Sequence, residues 1–187
     1  MPEPETDCGT ATLDAARCGW QAVKMIPEPS MSDPRLAELS RRLPGLRLLT
    51  APADLEHYGR DWTRRWAPAP LAVALPASAE EVQAIVRWAN EQRVAIVPSG
   101  GRTGLSGGAV AASGELVLSL ERMNRVLDFN AVDRTLTVQP GTILQHVHEA
   151  AREHGLVYPV DFAARGSCSI GGNIATNAGG IRVIRYG

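Results

Sequence analysis

The spacing of apolar positions changes several times along the chain, and each change marks an element. Leu36, Leu39 and Leu43 recur at helical spacing. Ser32 or Asp33 can cap that helix, Pro34 suits its first turn, and Pro44-Gly45 stops it. Leu46–Leu49 reads as a short strand and Ala53–Tyr58 as a helical turn. Leu71-Ala-Val-Ala-Leu75 is an unbroken apolar run, the pattern of a strand buried on both faces. Ser78-Ala-Glu-Glu81 forms a capping box, and Val82, Ile85, Val86 and Ala89 then make one apolar stripe of a helix ending near Gln92. Val94–Val97 is the next strand, so strand, helix and strand predict a βαβ unit with a right-handed crossover. Strands are expected near 115–120, 125–129 and 135–139. Their close spacing and short polar turns, such as Asn130–Asp133, predict an antiparallel meander. Pro140-Gly141-Thr142 turns into a helix from about Ile143 to His154, closed by Gly155. Residues 1–30 keep no steady period and read as a disordered extension, with Met31 as an alternative natural start.

Composition narrows the picture. The 187 residues allow one domain or two small ones, and 44% apolar with 21% charged residues is the balance of a globular protein. A net charge of −1 gives no basic footprint for nucleic acid. No apolar stretch reaches the roughly 20 residues of a membrane span, although peripheral association stays open. Cys8, Cys18 and Cys168 are odd in number and lack metal-like spacing, which favours a reducing, cytoplasmic setting. Glu3, Glu5, Asp7 and Asp14 occupy the place where a secretory leader would be apolar. His146 and His148 are two apart, so they cannot share a metal from one helical face; no metal is expected.

Candidate chemistry concentrates in two stretches. The first runs Pro98, Ser99, Gly100, Gly101, Arg102, Thr103, Gly104, Leu105, Ser106, Gly107, Gly108, with five glycines in eleven residues. Such a segment can turn successive N–H groups into one concavity, a nest for a phosphate; the alternative is a flexible turn. A P-loop needs a lysine, and none follows Lys24. A dinucleotide fingerprint needs GxGxxG opening a helix, whereas this spacing is GxxGxxGG and Gly107–Gly114 leaves little room for a helix. Glu121 stands about 20 residues on, where a ribose-binding acid would fall, and without the helix that is read as coincidence. The second stretch, Tyr158–Arg182, is dense in Gly, Ser, Thr and Asn, with Ile170, Ile174 and Ile181 interleaved. Between the two extremes of the chain lies Asp61-Trp-Thr-Arg-Arg-Trp66. It reads either as an anion-binding or cation–π cluster or as a hydrophobic corner with solvated arginines.

Pro98–Gly108, Pro140-Gly141-Thr142 and Gly166-Ser-Cys-Ser-Ile-Gly-Gly-Asn-Ile-Ala-Thr-Asn-Ala-Gly-Gly180 together resemble the FAD-binding domain of the vanillyl-alcohol oxidase/p-cresol methylhydroxylase type. Within it the likeness is to the D-2-hydroxy-acid dehydrogenases, which include D-2-hydroxyglutarate dehydrogenase, D-lactate dehydrogenase and the FAD subunit of glycolate oxidase. It extends from about residue 34 to 187. The resemblance implies an α+β fold of two small α/β subdomains with FAD between them. Residues 31–110 would be the first and 111–187 the start of the second, incomplete at its C-terminus and without a cap domain. It implies that Pro98 to Gly107 wrap the pyrophosphate together with Pro140 and Gly141. Ser167, Cys168, Gly171, Gly172, Asn173, Thr176 and Asn177 would line the flavin and ribityl. Some relatives attach flavin through a histidine or a cysteine in these segments. Arg102-Thr103 offers no histidine, so noncovalent FAD is expected, with a Cys168 thioether as the alternative. The implied activity is oxidation of a D-2-hydroxy acid by hydride transfer to flavin N5. A quinone, a flavoprotein or a cytochrome would take the electrons. Arg64 or Arg65 is a candidate for the substrate carboxylate. No catalytic base is identifiable in residues 1–187, so this fragment alone is expected to be inactive. The rival reading is a truncated, non-catalytic nucleotide-binding or structural remnant.

Overall fold

The structure, a computed structural model, describes residues 33–186; the expectations for residues 1–30, Met31 and a Ser32 cap lie outside them. Helix α1 (Pro34–Arg42) opens where the sequence places it. Asp33 accepts the Arg35 N–H at 2.8 Å and also binds its guanidinium, which satisfies an N-terminal donor and fixes the first turn. Strand β1 (Arg47–Leu49) and helix α2 (Pro52–Tyr58) follow, then strand β2 (Ala72–Leu75), buried along its whole length. Helix α3 (Ala79–Gln92) is capped by Ser78, whose hydroxyl accepts the Glu81 N–H at 3.3 Å. Glu81 reaches one residue further back than expected and accepts the Ala77 N–H at 2.7 Å. Arg93 closes the helix in the left-handed region, at φ +54°.

The buried face of α3 is Ile85, Trp88 and Ala89, with Val82 partly covered, whereas Val86 remains 47% exposed. The expected stripe is thus rotated toward Trp88, the largest apolar surface on the helix and the one that gains most from burial.

Strands β3 (Ile96–Ser99) and β4 (Leu116–Ser119) complete a sheet of order β1-β2-β4-β3. β4 runs parallel to β2 and to β3, and β1 pairs antiparallel with β2 at the edge. The strand expected to begin a meander is therefore the inner partner of a parallel sheet. It separates β2 from β3, which the sequence reads as one βαβ pair. Leu116, Val117, Leu118 and Ser119 are all buried, and a meander strand with one wet face could not cover both of their sides. Leu36, Leu39, Ile85 and Trp88 pack on the face carrying Ala72, Ala74, Leu116 and Leu118. Leu55 and Ala111 pack on the opposite face, against Val73, Leu75 and Val117. The sheet is thus covered on both sides, and its strand ends are free to build a site.

Beyond it, β5 (Val126–Asn130) and β6 (Thr135–Val138) form the antiparallel pair, a separate two-stranded sheet. Helix α4 (Leu144–Glu153) follows and Gly155 turns the chain at φ +69°. The second glycine-rich stretch forms a series of short helical turns. These are a 3-10 turn at Ala163–Gly166, α5 (Ile170–Ala175), a 3-10 turn at Gly180–Arg182 and α6 (Val183–Tyr186). Among the described residues no helix is long and apolar enough to cross a membrane, and no group of His, Cys, Asp and Glu is placed to hold a metal.

Leu116 is fully buried in the middle of the sheet. Leu116→Ala should lower unfolding free energy by about 2–5 kcal/mol, measured by urea denaturation. Val86→Ala should stay within about 0.5 kcal/mol. A cost for Leu116→Ala below about 1 kcal/mol would be incompatible with β4 between β2 and β3.

Candidate functional site

β3 and β4 both deliver the chain, at their carboxyl ends, to one crevice, the place where parallel sheets leave room for ligands. β3 runs directly into Gly100 and Gly101; β4 runs into Leu120–Met123, which meets Gly141. The contact is backbone against backbone. A Cβ on Gly101 would lie 2.0 Å from the Ser167 carbonyl oxygen, and one on Gly141 would lie 2.0 Å from that of Leu120. No side chain fits at either position. Hydrogen bonds then lock the second and third segments together. The Ile170 N–H donates to the Thr142 carbonyl at 2.9 Å, Gly171 N–H to Pro140 at 2.8 Å, and Leu144 N–H to Cys168 at 3.1 Å.

The result is a cleft of about 380 Å³, within the range of small-molecule sites. Gly100, Gly101, Arg102, Thr103, Gly141, Ile143, Ser167 and Ser169 line it together with His57, Arg60, Asp61, Trp62, Arg64 and Glu121. The two glycine-rich stretches contribute differently. The N–H groups of Gly100 through Ser106 meet no acceptor among the described residues, whereas the N–H groups of Ser167, Cys168, Ile170, Gly171 and Asn173 all donate to backbone carbonyls. The first stretch has donors to offer; the second has mostly committed them to holding the scaffold. At the mouth of the same loop, the hydroxyls of Ser99 and of Ser119, its partner across β3 and β4, are buried without a hydrogen-bond partner.

Side chains fix the loop to Asp61 and to the end of α2. Asp61, only 4% exposed, accepts the Gly107 N–H at 3.1 Å and both the N–H and hydroxyl of Thr63, at 2.9 and 2.7 Å. Those bonds, the Thr63 hydroxyl first, hold its carboxyl below the ordinary 3.8. Arg102 sits in the left-handed region at φ +54°, a costly conformation for a residue with a Cβ that the surroundings must enforce. Its guanidinium lies 4.7 Å from the Tyr58 ring centre and 2.9 Å from His57 Nε2, the arginine being the donor. Tyr58 in turn donates to the Glu121 carboxylate at 2.6 Å; burial first, and then this acid, push the phenol up to about 12.

Of the residues singled out from the sequence, Gly100, Gly101, Arg102, Thr103, Gly141 and Ser167 border the cleft. Pro98 and Ser99 belong to β3, Gly104, Leu105 and Ser106 are exposed outside the cleft lining, and Gly107 covers the Trp66 ring. Pro140 packs beneath Gly171. Gly172 and Asn173 lie in α5, Thr176 bonds back to the Gly172 carbonyl at 2.9 Å, and Asn177 is exposed at φ +51°; none of these four borders the cleft. Cys168 is 3% exposed, receives the Asn173 side-chain amide at 3.5 Å, and burial raises its thiol. Arg64 reaches the cleft, while Arg65 lies 5.8 Å from the Trp66 ring centre. Sequence reasoning passed over His57, Arg60 and Ile143, which carry no spacing signal, and did not single out Ser169 within the second motif. It read Glu121 as coincidence, and of the Asp61–Trp66 cluster it offered only Arg64 or Arg65, for the substrate carboxylate.

The geometry has relatives. The profile of the FAD binding domain family matches residues 70–187. The chain is 80% identical over 157 residues to D-2-hydroxyglutarate dehydrogenase of Xanthomonas citri pv. viticola, covering 84% of this chain and 33% of that protein. It is 41% identical over 165 residues to the mitochondrial D-2-hydroxyglutarate dehydrogenase of Bos taurus, covering 88% and 30%. The chain thus spans about a third of the length of these curated relatives. Among solved structures, an alkyldihydroxyacetonephosphate synthase superposes with a TM-score of 0.76 at 23% identity, covering 87% of this chain and 32% of that one. A cholesterol oxidase from B. sterolicum does so at 0.55 and 23%, covering 65% and 23%. At that identity the likeness is one of fold, and it is the α+β flavoprotein fold that the glycine motifs imply.

Two outcomes follow from this geometry. Gly101→Ala should destabilise the protein by about 1–3 kcal/mol through overpacking, while Gly104→Ala, which points into open space, should stay within about 0.5 kcal/mol. Thermal melts of both variants check this, and equal melting points would contradict the backbone contact. For Asp61 the native carboxyl titrates below its unfolded value, so its stabilisation is present above about pH 4 and lost as pH falls through the native value. Chemical denaturation should therefore show wild type losing more stability than Asp61→Asn below pH 4. Parallel pH profiles would remove Asp61 as the tether.

Proposed function

Because the chain belongs to the FAD binding domain family, we propose that it is the FAD-binding portion of a dehydrogenase that oxidises a D-2-hydroxy acid. The observation that carries this reading is the run of N–H groups from Gly100 to Thr103, which line the cleft and meet no acceptor among the described residues. Free backbone donors in a concave, lysine-free loop suit a diphosphate, which needs several hydrogen bonds at short range. The buried, partnerless Ser99 hydroxyl at the same end of β3 also fits a polar ligand there.

The chemistry contributed by bound FAD is acceptance of a hydride from the carbon bearing the substrate hydroxyl. The chain itself binds and orients. Pro98–Gly107, Pro140 and Gly141 surround the diphosphate in this reading, and Arg60, Arg64 and Arg102 offset its charge. On the flavin side, Ser167 borders the cleft, and Cys168, Gly171, Gly172, Asn173, Thr176 and Asn177 belong to the segment that carries it. Binding is noncovalent: residues 98–108 contain no histidine, and the buried Cys168 thiol resists forming the thiolate that attack would require. We place the division between the two subdomains after β4, which completes the first sheet, rather than at residue 110. D-2-hydroxyglutarate is the acid named by several curated relatives and the first candidate substrate. A quinone, a flavoprotein or a cytochrome is the acceptor class, and the cytoplasm the expected compartment.

Titration of the folded chain with FAD, followed by quenching of flavin fluorescence, should saturate with a micromolar Kd. Acid precipitation should release the flavin into the supernatant. A folded chain that binds no FAD would overturn the reading and favour the non-catalytic remnant, and a yellow pellet would overturn noncovalent binding.

A further inference from the structure

The Asp61–Trp66 cluster is split by the fold into two halves with different surroundings. Trp66 lies against Gly107, its ring 3.2 Å from where a Cβ would stand, and so supports the glycine loop from beneath. Trp62 is 71% exposed, yet it lines the same cleft as Gly100–Thr103. Arg64 lines it too and has no ion-pair partner among the described residues, while Arg60 is paired with Glu56 at 3.0 Å. Asp61 ties this segment to the glycine loop, its carboxylate bonding both to its own turn, at Thr63, and to the Gly107 N–H. An exposed indole is thus tethered beside the cleft that the N–H groups of Gly100–Thr103 also line.

A ligand that uses both features must carry an anion for the amides and a flat ring for the indole. A nucleotide has both. We propose that Trp62 is a stacking platform for a planar ring of the dinucleotide whose diphosphate lies along Gly100–Thr103, with Arg64 adding a cation near its phosphate charge. This rests on the FAD reading given above and assigns a role to the Trp62 part of the cleft. Two rings of FAD could supply the stack, adenine or isoalloxazine, and two shorter probes separate them: ADP carries only the first, FMN only the second.

The test measures the Kd of FAD, ADP and FMN for the 187-residue chain as wild type, Trp62→Ala and Trp62→Phe, by isothermal titration calorimetry. Stacking of a base on an aromatic side chain predicts roughly a five- to hundred-fold weaker Kd for FAD in Trp62→Ala. Trp62→Phe should restore most of the affinity, because it keeps a flat face. A parallel loss for ADP with FMN unchanged assigns the adenine, and the converse assigns the isoalloxazine; both support the platform. Melting points should not move in either variant, since the side chain is mostly in solvent. Wild-type affinity for all three ligands in Trp62→Ala would overturn the platform while leaving the FAD reading intact. Equal losses in Trp62→Ala and Trp62→Phe would overturn stacking in favour of a purely structural tryptophan. Absence of FAD binding by wild type would overturn both readings.

Discussion

Everything at the site depends on the absence of a side chain at Gly101. The Ser167 carbonyl oxygen occupies the space that a Cβ would take, and Gly141 makes the same concession to Leu120. These approaches let three segments, separated by about forty and then twenty-five residues, meet through their backbones. Side chains would hold them several ångströms apart, and the cleft between the sheet ends and the Trp62 segment would widen into open surface. The contact is also directional. It is made at the ends of β3 and β4, so the parallel sheet fixes its location, and the buried apolar faces of that sheet fix it firmly.

Given that contact, hydrogen bonding divides the labour. The Pro140–Leu144 and Cys168–Asn173 segments use their N–H groups on one another and become scaffold. The N–H groups of Gly100–Thr103, which line the cleft, meet no acceptor among the described residues. Successive backbone donors left without a chain partner beside a cleft are the feature an anion nest uses. The arginine at φ +54° in the middle of this run belongs to the same logic: Tyr58 and His57 hold its guanidinium, so the strained backbone persists. Asp61 closes the circuit by attaching its own segment to Gly107. The cleft is therefore shaped before any ligand enters, which lowers the ordering cost of binding.

Several elements were legible along the chain. Leu36, Leu39 and Pro34 define α1, Ser78 and Glu81 start α3, and the glycine spacings single out both stretches that meet at the cleft. Others were not. β4 has the length and composition of a meander strand, and only burial on both faces sends it between β2 and β3. The Gly166–Gly180 motif reads as loop because glycine and asparagine disfavour helix, yet α5 forms there through Asn173 and Thr176 bonding back to Ser169 and Gly172. His57 and Arg60 reach the site from segments whose local pattern is ordinary.

The sequence by itself determined where backbone could come closest, because the lack of a Cβ is a property of each glycine and needs no neighbour to be read. It also determined the kinship of the two motifs. Which segments use those approaches was decided by the tertiary structure. Strand order, the commitment of the second motif's amides, and the arrival of Trp62, Arg64 and Glu121 at the cleft all depend on competition among distant surfaces for burial. No single stretch of chain contains that competition, so no local pattern records its outcome.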